Sequence, residues 1–192
     1  MSKTTALEKQ RERQRNITRI IARTAIFIAL TVTMQLVTRP MSQFVTGSVV
    51  NLIRAVALMS TGLFSGVVVG IVSPFLAALL GIVPNWVFMP FIAVSNVAFV
   101  LVWYFISKLG KTEAQKTVSL FAAMAAAVLA KFTVLFIGVA QIAIPIILDL
   151  PEPQASRMTT MFTVNQLITA SIGGVLAIII FKVIKKAING DK

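Results

Sequence analysis

The chain has 192 residues, of which 57% are hydrophobic and 12% are charged, and its net charge is +12. The charged share is about half of the roughly 25% that is typical of soluble domains, which nearly excludes a soluble globular protein. Disorder is excluded too, because so apolar a chain does not stay solvated. The sequence contains no Cys and no His, which excludes disulfides, thiol nucleophiles, the usual zinc sites and imidazole catalysis.

Six apolar segments are long enough to cross about 30 Å of hydrocarbon as helices. They run over Ile17–Val37, Ser48–Gly66, Val67–Val83, Trp86–Ser107, Val118–Leu148 and Met158–Ile184. The second and third segments form one continuous apolar run, which is too long for a single span. Because glycine permits tight turns, we predict a turn in the stretch that contains Gly62, Gly66 and Gly70, with the boundary after Gly66.

The basic residues predict the orientation of these spans. Fourteen of the 18 Lys and Arg lie on or near the N-terminal tail, in the loop after the fourth span, or at and after the end of the sixth span. With six spans all three clusters fall on one side, which is the cytoplasm by the positive-inside rule. We therefore predict a basic cytoplasmic tail (residues 1–16), a six-helix membrane domain (17–186) and a cytoplasmic C-terminal tail (187–192). A nucleic-acid role is disfavoured because no soluble domain is present to read bases.

Two cations fall well inside the predicted spans, away from the cytoplasmic ends, Arg54 in the second and Lys131 in the fifth, whereas no Asp or Glu falls within any span. A charge at the bilayer centre costs about 2.5–3.5 kcal/mol on insertion scales, so such a residue is a functional candidate by default. A bound anion would offset the cost of burying an unpaired cation. Arg54 has an alternative, which is to extend outward to the lipid headgroups.

Several amide side chains are predicted to lie at the same depth as these cations, in the outer half of the membrane. The candidate substrate-binding residues are Asn51, Arg54, Asn85, Trp86, Asn96, Lys131, Gln141 and Asn165. Amides supply both donors and acceptors, which suits a small polar ligand with an anionic group. The alternatives are that the amides only link helices by hydrogen bonds and that Trp86 is an interfacial anchor. In the first span, Ala22, Ala25 and Ala29 form a stripe of small residues on which another helix can pack closely.

Together with the length, the six spans and the basic tail, several segments resemble the substrate-binding S components of energy-coupling factor (ECF) vitamin transporters. They are Ala25-Ile-Phe-Ile-Ala29, Thr46-Gly-Ser-Val-Val-Asn51, Ser73-Pro74, Leu79-Leu80-Gly81-Ile82, Pro90-Phe91-Ile92-Ala93 with Asn96, and Asn165-Gln166-Leu167 with Gly173-Gly174. The resemblance covers residues 17 to 186, and it implies an all-α bundle of six transmembrane helices in a bacterial plasma membrane.

The resemblance also implies a mechanism and partners. The protein would bind a vitamin from outside and dock through Ala22, Ala25 and Ala29 onto a membrane-embedded coupling (T) subunit that two cytoplasmic ATPases drive. It would then topple in the membrane to release its substrate. The loop over residues 38–47, with Arg39 and Phe44, would gate the site. No phosphate-binding Gly-rich loop with Lys and Ser/Thr is present in the sequence, so this chain would need no cofactor and the partner subunits would use ATP.

The two intramembrane cations favour an anionic substrate over a cationic vitamin such as thiamine. Pantothenate, biotin, lipoate, nicotinate and a folate remain open, and the shortage of Tyr and Trp favours pantothenate because flat aromatic ligands need stacking partners. A stand-alone secondary transporter or channel for a small anion is the alternative function, although proton-coupled carriers usually use an intramembrane Asp, Glu or His. An enzyme is disfavoured, since the sequence offers no His, no Cys and no intramembrane carboxylate pair.

Overall fold

The computed structural model of the chain describes residues 3–83 and 85–190, and this part of the chain is almost entirely helical. The helices are α1 (Lys3–Thr38), α2 (Gln43–Thr61), α3 (Leu63–Leu79), α4 (Phe88–Ser107), α5 (Glu113–Leu135), a π-helical segment (Phe136–Leu148) that continues α5, α6 (Glu152–Phe162) and α7 (Val164–Gly190). The predicted all-α membrane class is confirmed. Residues 1–2 and 191–192 of the two predicted tails lie outside the described residues.

Among the described residues, five helical stretches are long and apolar enough to cross a membrane. They are the apolar part of α1, then α2, α4, α5 with its π-helical segment, and α6 with α7. The remaining apolar helix, α3, has 17 residues. That length corresponds to about 25 Å and stands at the lower limit for a span. Many large apolar side chains on these helices are exposed in the isolated chain, as expected for surfaces that contact lipid.

The predicted boundary between the second and third spans was wrong by four residues, because the turn lies at Gly62. This glycine has a φ of 104°, a backbone conformation that other residues rarely adopt, and its amide donates to the carbonyl of Leu58. Gly66 instead lies inside α3, where an added Cβ would come within 2.9 Å of Val100 Cγ1. Gly66 therefore serves close helix packing.

The predicted ends of the fourth span at Ser107 and of the fifth at Leu148 are confirmed, whereas other boundaries differ. Helix α1 begins at Lys3, so most of the predicted basic tail is helical and continuous with the first span. At 36 residues it is about 54 Å long, which exceeds the hydrocarbon thickness. Helix α5 begins at Glu113, five residues earlier than predicted, because the Thr112 and Gln115 side chains form a reciprocal capping box.

The predicted sixth span consists of two helices that meet at Thr163. The Thr163 backbone leaves the helical region, with a φ of −111° and a ψ of −80°. Its hydroxyl donates to the Thr159 carbonyl at 2.6 Å, a local bond that is known to bend helices. Sequence periodicity does not reveal this break because both halves are helical.

The six long helices form a closed ring in the order α1, α2, α7, α5, α4 and α3, and α2 also packs against α3. Short α6 lies against the π-helical segment and the start of α7. One core cluster, around Phe99, Trp103 and Ile178, fills the ring toward the basic end. A second, around Phe88, Leu135 and Phe162, lies toward the opposite end.

Helices α2 and α7 approach each other closely at the first of two adjacent glycines of α7. We predict that substitution of these two glycines has different effects on stability. A Cβ on Gly173 would lie 2.5 Å from the Ser48 carbonyl oxygen and 2.8 Å from the Leu52 amide nitrogen, which are backbone atoms of α2. A Cβ on Gly174 would meet side chains only, Met124 Cγ at 2.7 Å and Trp103 Cζ3 at 3.3 Å, and the closer of these, Met124, is flexible and can move. We expect Gly173→Ala to destabilise the fold by about 2 kcal/mol because two backbones must separate.

The test is thermal unfolding of the detergent-solubilised protein. Gly173→Ala is expected to lower the midpoint by roughly 4–8 °C, whereas Gly174→Ala leaves it nearly unchanged. Equal midpoints for the two variants would contradict the packing of α2 against α7.

Candidate substrate-binding site

A cavity of about 250 Å³ lies at the end of the bundle opposite the basic clusters. The end of α1, the start of α2, the end of α3 and the junction of α6 with α7 surround it, and α4 and α5 each contribute residues. We call it the outer cavity. Four of the eight predicted binding residues line it, namely Asn51, Arg54, Asn96 and Lys131.

Both intramembrane cations bind the same oxygen atom. Arg54 Nη1 and Lys131 Nζ each donate to Asn51 Oδ1 at 2.8 Å. Asn51 lies one turn before Arg54 on α2, whereas Lys131 reaches across from α5. The Asn51 amide nitrogen donates to the Thr169 hydroxyl of α7 at 3.4 Å. A single amide therefore links three helices and orients two positive groups toward each other.

These cations are almost fully buried. Arg54 is 2% exposed and Lys131 is 3% exposed. No carboxylate lines the cavity among the described residues. A neutral amide oxygen offers only a partial negative charge, so it does not offset the desolvation of two cations that also repel each other. The site is therefore strongly electropositive and poorly hydrated.

Further polar groups of the residues that line the outer cavity have unused hydrogen-bonding capacity. Arg54 Nε and the Ser73 hydroxyl are buried donors without a hydrogen-bond partner in the described part of the chain. Asn96 donates its amide N–H to the Gly70 carbonyl at 3.0 Å, while its Oδ1 has no partner there. Buried polar groups in proteins are rarely left unpaired, and their concentration in one cavity indicates a place where a ligand is recognised.

The cavity ends at a closed apolar floor. Below the Arg54 level, Ala55, Leu58 and Val100 are all at most 4% exposed and belong to one packed cluster. Phe99 and Trp103 pack edge to face in it, with ring centroids 5.3 Å apart. This packing of described side chains separates the cavity from the basic end.

At the mouth, the connection between α1 and α2 is shorter than predicted. Only residues 39–42 are non-helical, because α2 already begins at Gln43. Arg39 lines the cavity and donates from Nη2 to the Gly81 carbonyl at 3.1 Å, which ties the connection to the end of α3. Phe44, predicted in the gating loop, lies in the first turn of α2, is 42% exposed and does not line the cavity.

The other predicted binding residues lie outside the cavity lining. Asn85 accepts from the Val87 amide at 2.9 Å and so supports the turn that precedes α4. Trp86 is 55% exposed, and Gln141 is exposed on the π-helical segment. Asn165 contacts a residue of the lining: its amide donates to Gln43 Oε1 at 3.3 Å, and Gln43 lines the cavity.

Sequence reasoning missed Gln35, Gln43 and Ser73, which line the cavity, and it left Gln166 out of the candidate set. One signal was available for Gln35. The buried polar residues of α1 recur at helical spacing as Thr24, Thr31, Gln35 and Thr38. In a membrane helix such a polar stripe marks the face that contacts protein, while the apolar face contacts lipid.

The three alanines of the predicted docking stripe lie on another face of α1. Ala22, Ala25 and Ala29 are all exposed and contribute nothing to the buried polar stripe. This face of α1 is available to a partner helix within the described structure.

The shared oxygen of Asn51 predicts opposite stability effects for two substitutions of similar size. Lys131→Met removes a desolvated charge, so the ligand-free protein is expected to unfold at the same or a higher temperature, by up to roughly 4 °C. Asn51→Leu keeps both cations and removes their acceptor, so the midpoint is expected to fall by roughly 5 °C or more. Thermal unfolding without added ligand measures both effects, and a fall for Lys131→Met as large as that for Asn51→Leu would contradict this description.

The sequence was compared with known protein families. The family model described as "ECF transporter, substrate-specific component" matches residues 19–185. Searches of curated proteins and of solved structures find no match. The family match covers nearly the whole bundle, including every helix that lines the outer cavity. The predicted family is confirmed, and with it a multi-pass membrane location: the chain belongs to the substrate-specific components of ECF transporters.

Proposed function

We propose that this substrate-specific component captures a small carboxylate-bearing vitamin or vitamin precursor in the outer cavity. The observation that carries the proposal is the pair of buried cations that share Asn51 Oδ1 in a lining without a described carboxylate. An anion placed between Arg54 and Lys131 would accept charge-assisted hydrogen bonds from both, in surroundings where water competes little. A cationic vitamin would be repelled from the same position.

The size and lining of the cavity narrow the class of ligand. Its volume of about 250 Å³ is just below the range of roughly 300–1,000 Å³ that is typical of drug-sized ligands, which disfavours a folate. Phe162 is the one aromatic residue among the described lining residues, which offers little stacking to a flat ring. Pantothenate is our first candidate, because it combines a carboxylate with an amide and hydroxyl groups and has no ring. Biotin, lipoate and nicotinate follow.

The amides around the mouth suit the polar part of such a molecule. Gln35, Gln43 and Gln166 line the cavity from α1, α2 and α7, while the cations lie deeper. Amides both donate and accept, so they match hydroxyl and amide groups of either polarity. The ligand would therefore enter with its carboxylate leading and leave its polar end at the mouth.

Delivery inward requires partners in this proposal. The packed floor beneath Arg54 supports uptake by reorientation of the whole bundle over passage through it. The family assembles with ECF coupling and ATPase modules. We infer that the α1 face with Ala22, Ala25 and Ala29 contacts the coupling subunit, and that ATP is used by two partner ATPases with no cofactor in this chain. Arg39, by holding the α1–α2 connection against α3, would control access to the cavity.

Calorimetric titration of the purified protein with pantothenate and the other small acids tests the site. Arg54→Ala and Lys131→Ala are each expected to weaken binding of the accepted acid by about tenfold or more, since each removes a charge-assisted hydrogen bond. Arg157→Ala is the control, because it removes an exposed cation of α6 that does not line the cavity. Unchanged affinity in both site variants would remove the anion proposal.

Affinity purification of the assembled transporter tests the docking face. Ala25→Trp and Ala29→Trp are expected to abolish recovery of the coupling subunit, because an indole prevents close helix approach. Leu129→Trp, at a position of α5 that is 59% exposed, is the matched control for a bulky residue on a lipid-facing surface. Normal assembly of both alanine variants would show that the docking surface lies elsewhere, while retained ligand binding shows that the variants fold.

A further inference from the structure

A second cavity lies at the basic end of the bundle, which is the cytoplasmic end by the positive-inside rule. We call it the inner cavity; its volume is about 550 Å³, larger than that of the outer cavity. The ends of α2, α4 and α7 and the start of α5 surround it. The packed cluster around Phe99 and Trp103 separates the two cavities, so the inner cavity is not a part of the proposed vitamin site.

Three lysines from three different helices line the inner cavity. Lys108 follows α4, Lys116 lies in the first turn of α5 and Lys182 lies near the end of α7. No carboxylate lines it among the side chains that the structure describes. All three lysines are exposed, and a cluster of ammonium groups at the cytoplasmic end of a bundle attracts negatively charged groups of the membrane surface.

Hydroxyl and aromatic groups around the lysines complete the lining. The Lys108 ammonium donates to the Tyr104 hydroxyl and lies 3.9 Å from the centre of that ring. Lys182 donates to the Thr117 hydroxyl at 3.3 Å. Trp103 is 1% exposed, and its indole N–H has no hydrogen-bond partner in the described part of the chain. The lysines of the inner cavity are thus ammonium donors for phosphate oxygens, whereas the Trp103 N–H is buried.

The apolar part of the lining indicates the rest of the ligand. Leu58, Met59 and Leu120 line the same cavity together with Phe181. A molecule with a phosphate at one end and an apolar body at the other matches this arrangement. Basic pockets between transmembrane helices on the cytoplasmic side are typical binding sites for acidic phospholipid headgroups.

We propose that the inner cavity binds the phosphate-containing headgroup of an acidic phospholipid of the cytoplasmic leaflet. The lipid ties the ends of α4, α5 and α7 together at the membrane surface, on the side opposite the vitamin site. This proposal is independent of the identity of the vitamin, because none of its residues lines the outer cavity.

The test is native mass spectrometry of the full chain in detergent, titrated with phosphatidylglycerol or with phosphatidylcholine of the same acyl chains. The wild type is expected to retain phosphatidylglycerol about tenfold more tightly than phosphatidylcholine. The triple variant Lys108→Gln, Lys116→Gln, Lys182→Gln is expected to lose that preference. The control Arg11→Gln, Arg13→Gln, Arg15→Gln removes the same charge from the exposed basic part of α1 and is expected to keep it.

Three outcomes would overturn the proposal. Equal retention of the two lipids by the wild type would show that headgroup charge is not recognised. Equal losses in both triple variants would show attraction to net charge alone. Displacement of the lipid by millimolar inorganic phosphate would identify a small-anion site instead. If the triple variant does not fold, Lys182→Gln alone is expected to weaken phosphatidylglycerol binding about threefold, and unchanged binding would count against the proposal.

Discussion

The central interaction of this protein is the sharing of one amide oxygen, Asn51 Oδ1, by the side chains of Arg54 and Lys131. Two cations in a membrane interior are costly, and a neutral acceptor offsets little of that cost. In a bundle that served only as a scaffold, apolar residues would be more stable at these positions. Their presence supports the proposal that stability has been given up for recognition of an anion. The fold around them holds the pair in place because Asn51 also contacts Thr169 of α7.

The closed ring of helices gives the two ends of the bundle different chemistry. At the outer end, α1, α2, α3 and α7 leave a small cavity whose deepest groups are the two cations. At the basic end, the helices splay around a larger cavity with lysines at its rim. The aromatic and aliphatic cluster between them blocks a direct route. An outer cavity closed at its inner end supports the proposal that the substrate enters from one side and that its delivery depends on other subunits.

The sequence predicted the all-helical class, the family and the two buried cations, because membrane insertion imposes strong rules on length, hydropathy and charge. It placed the turn at Gly66 instead of Gly62 because the glycines of that apolar run are equivalent by composition, and only packing distinguishes them. It could not separate Asn96, which lines the cavity, from Gln141, which is exposed, since the rotation of a helix about its axis is set by neighbouring helices. The break at Thr163 depends on a local hydroxyl bond that hydropathy does not record.

The most direct test of the central claim is the charge of the small molecule that the purified protein retains. Native mass spectrometry of gently extracted protein, followed by release and mass identification of the ligand, measures it. We expect a carboxylic acid that is present in the wild type and absent after Lys131→Met. A neutral or cationic ligand, retained equally by the wild type and by Lys131→Met, would contradict a site built around two buried cations.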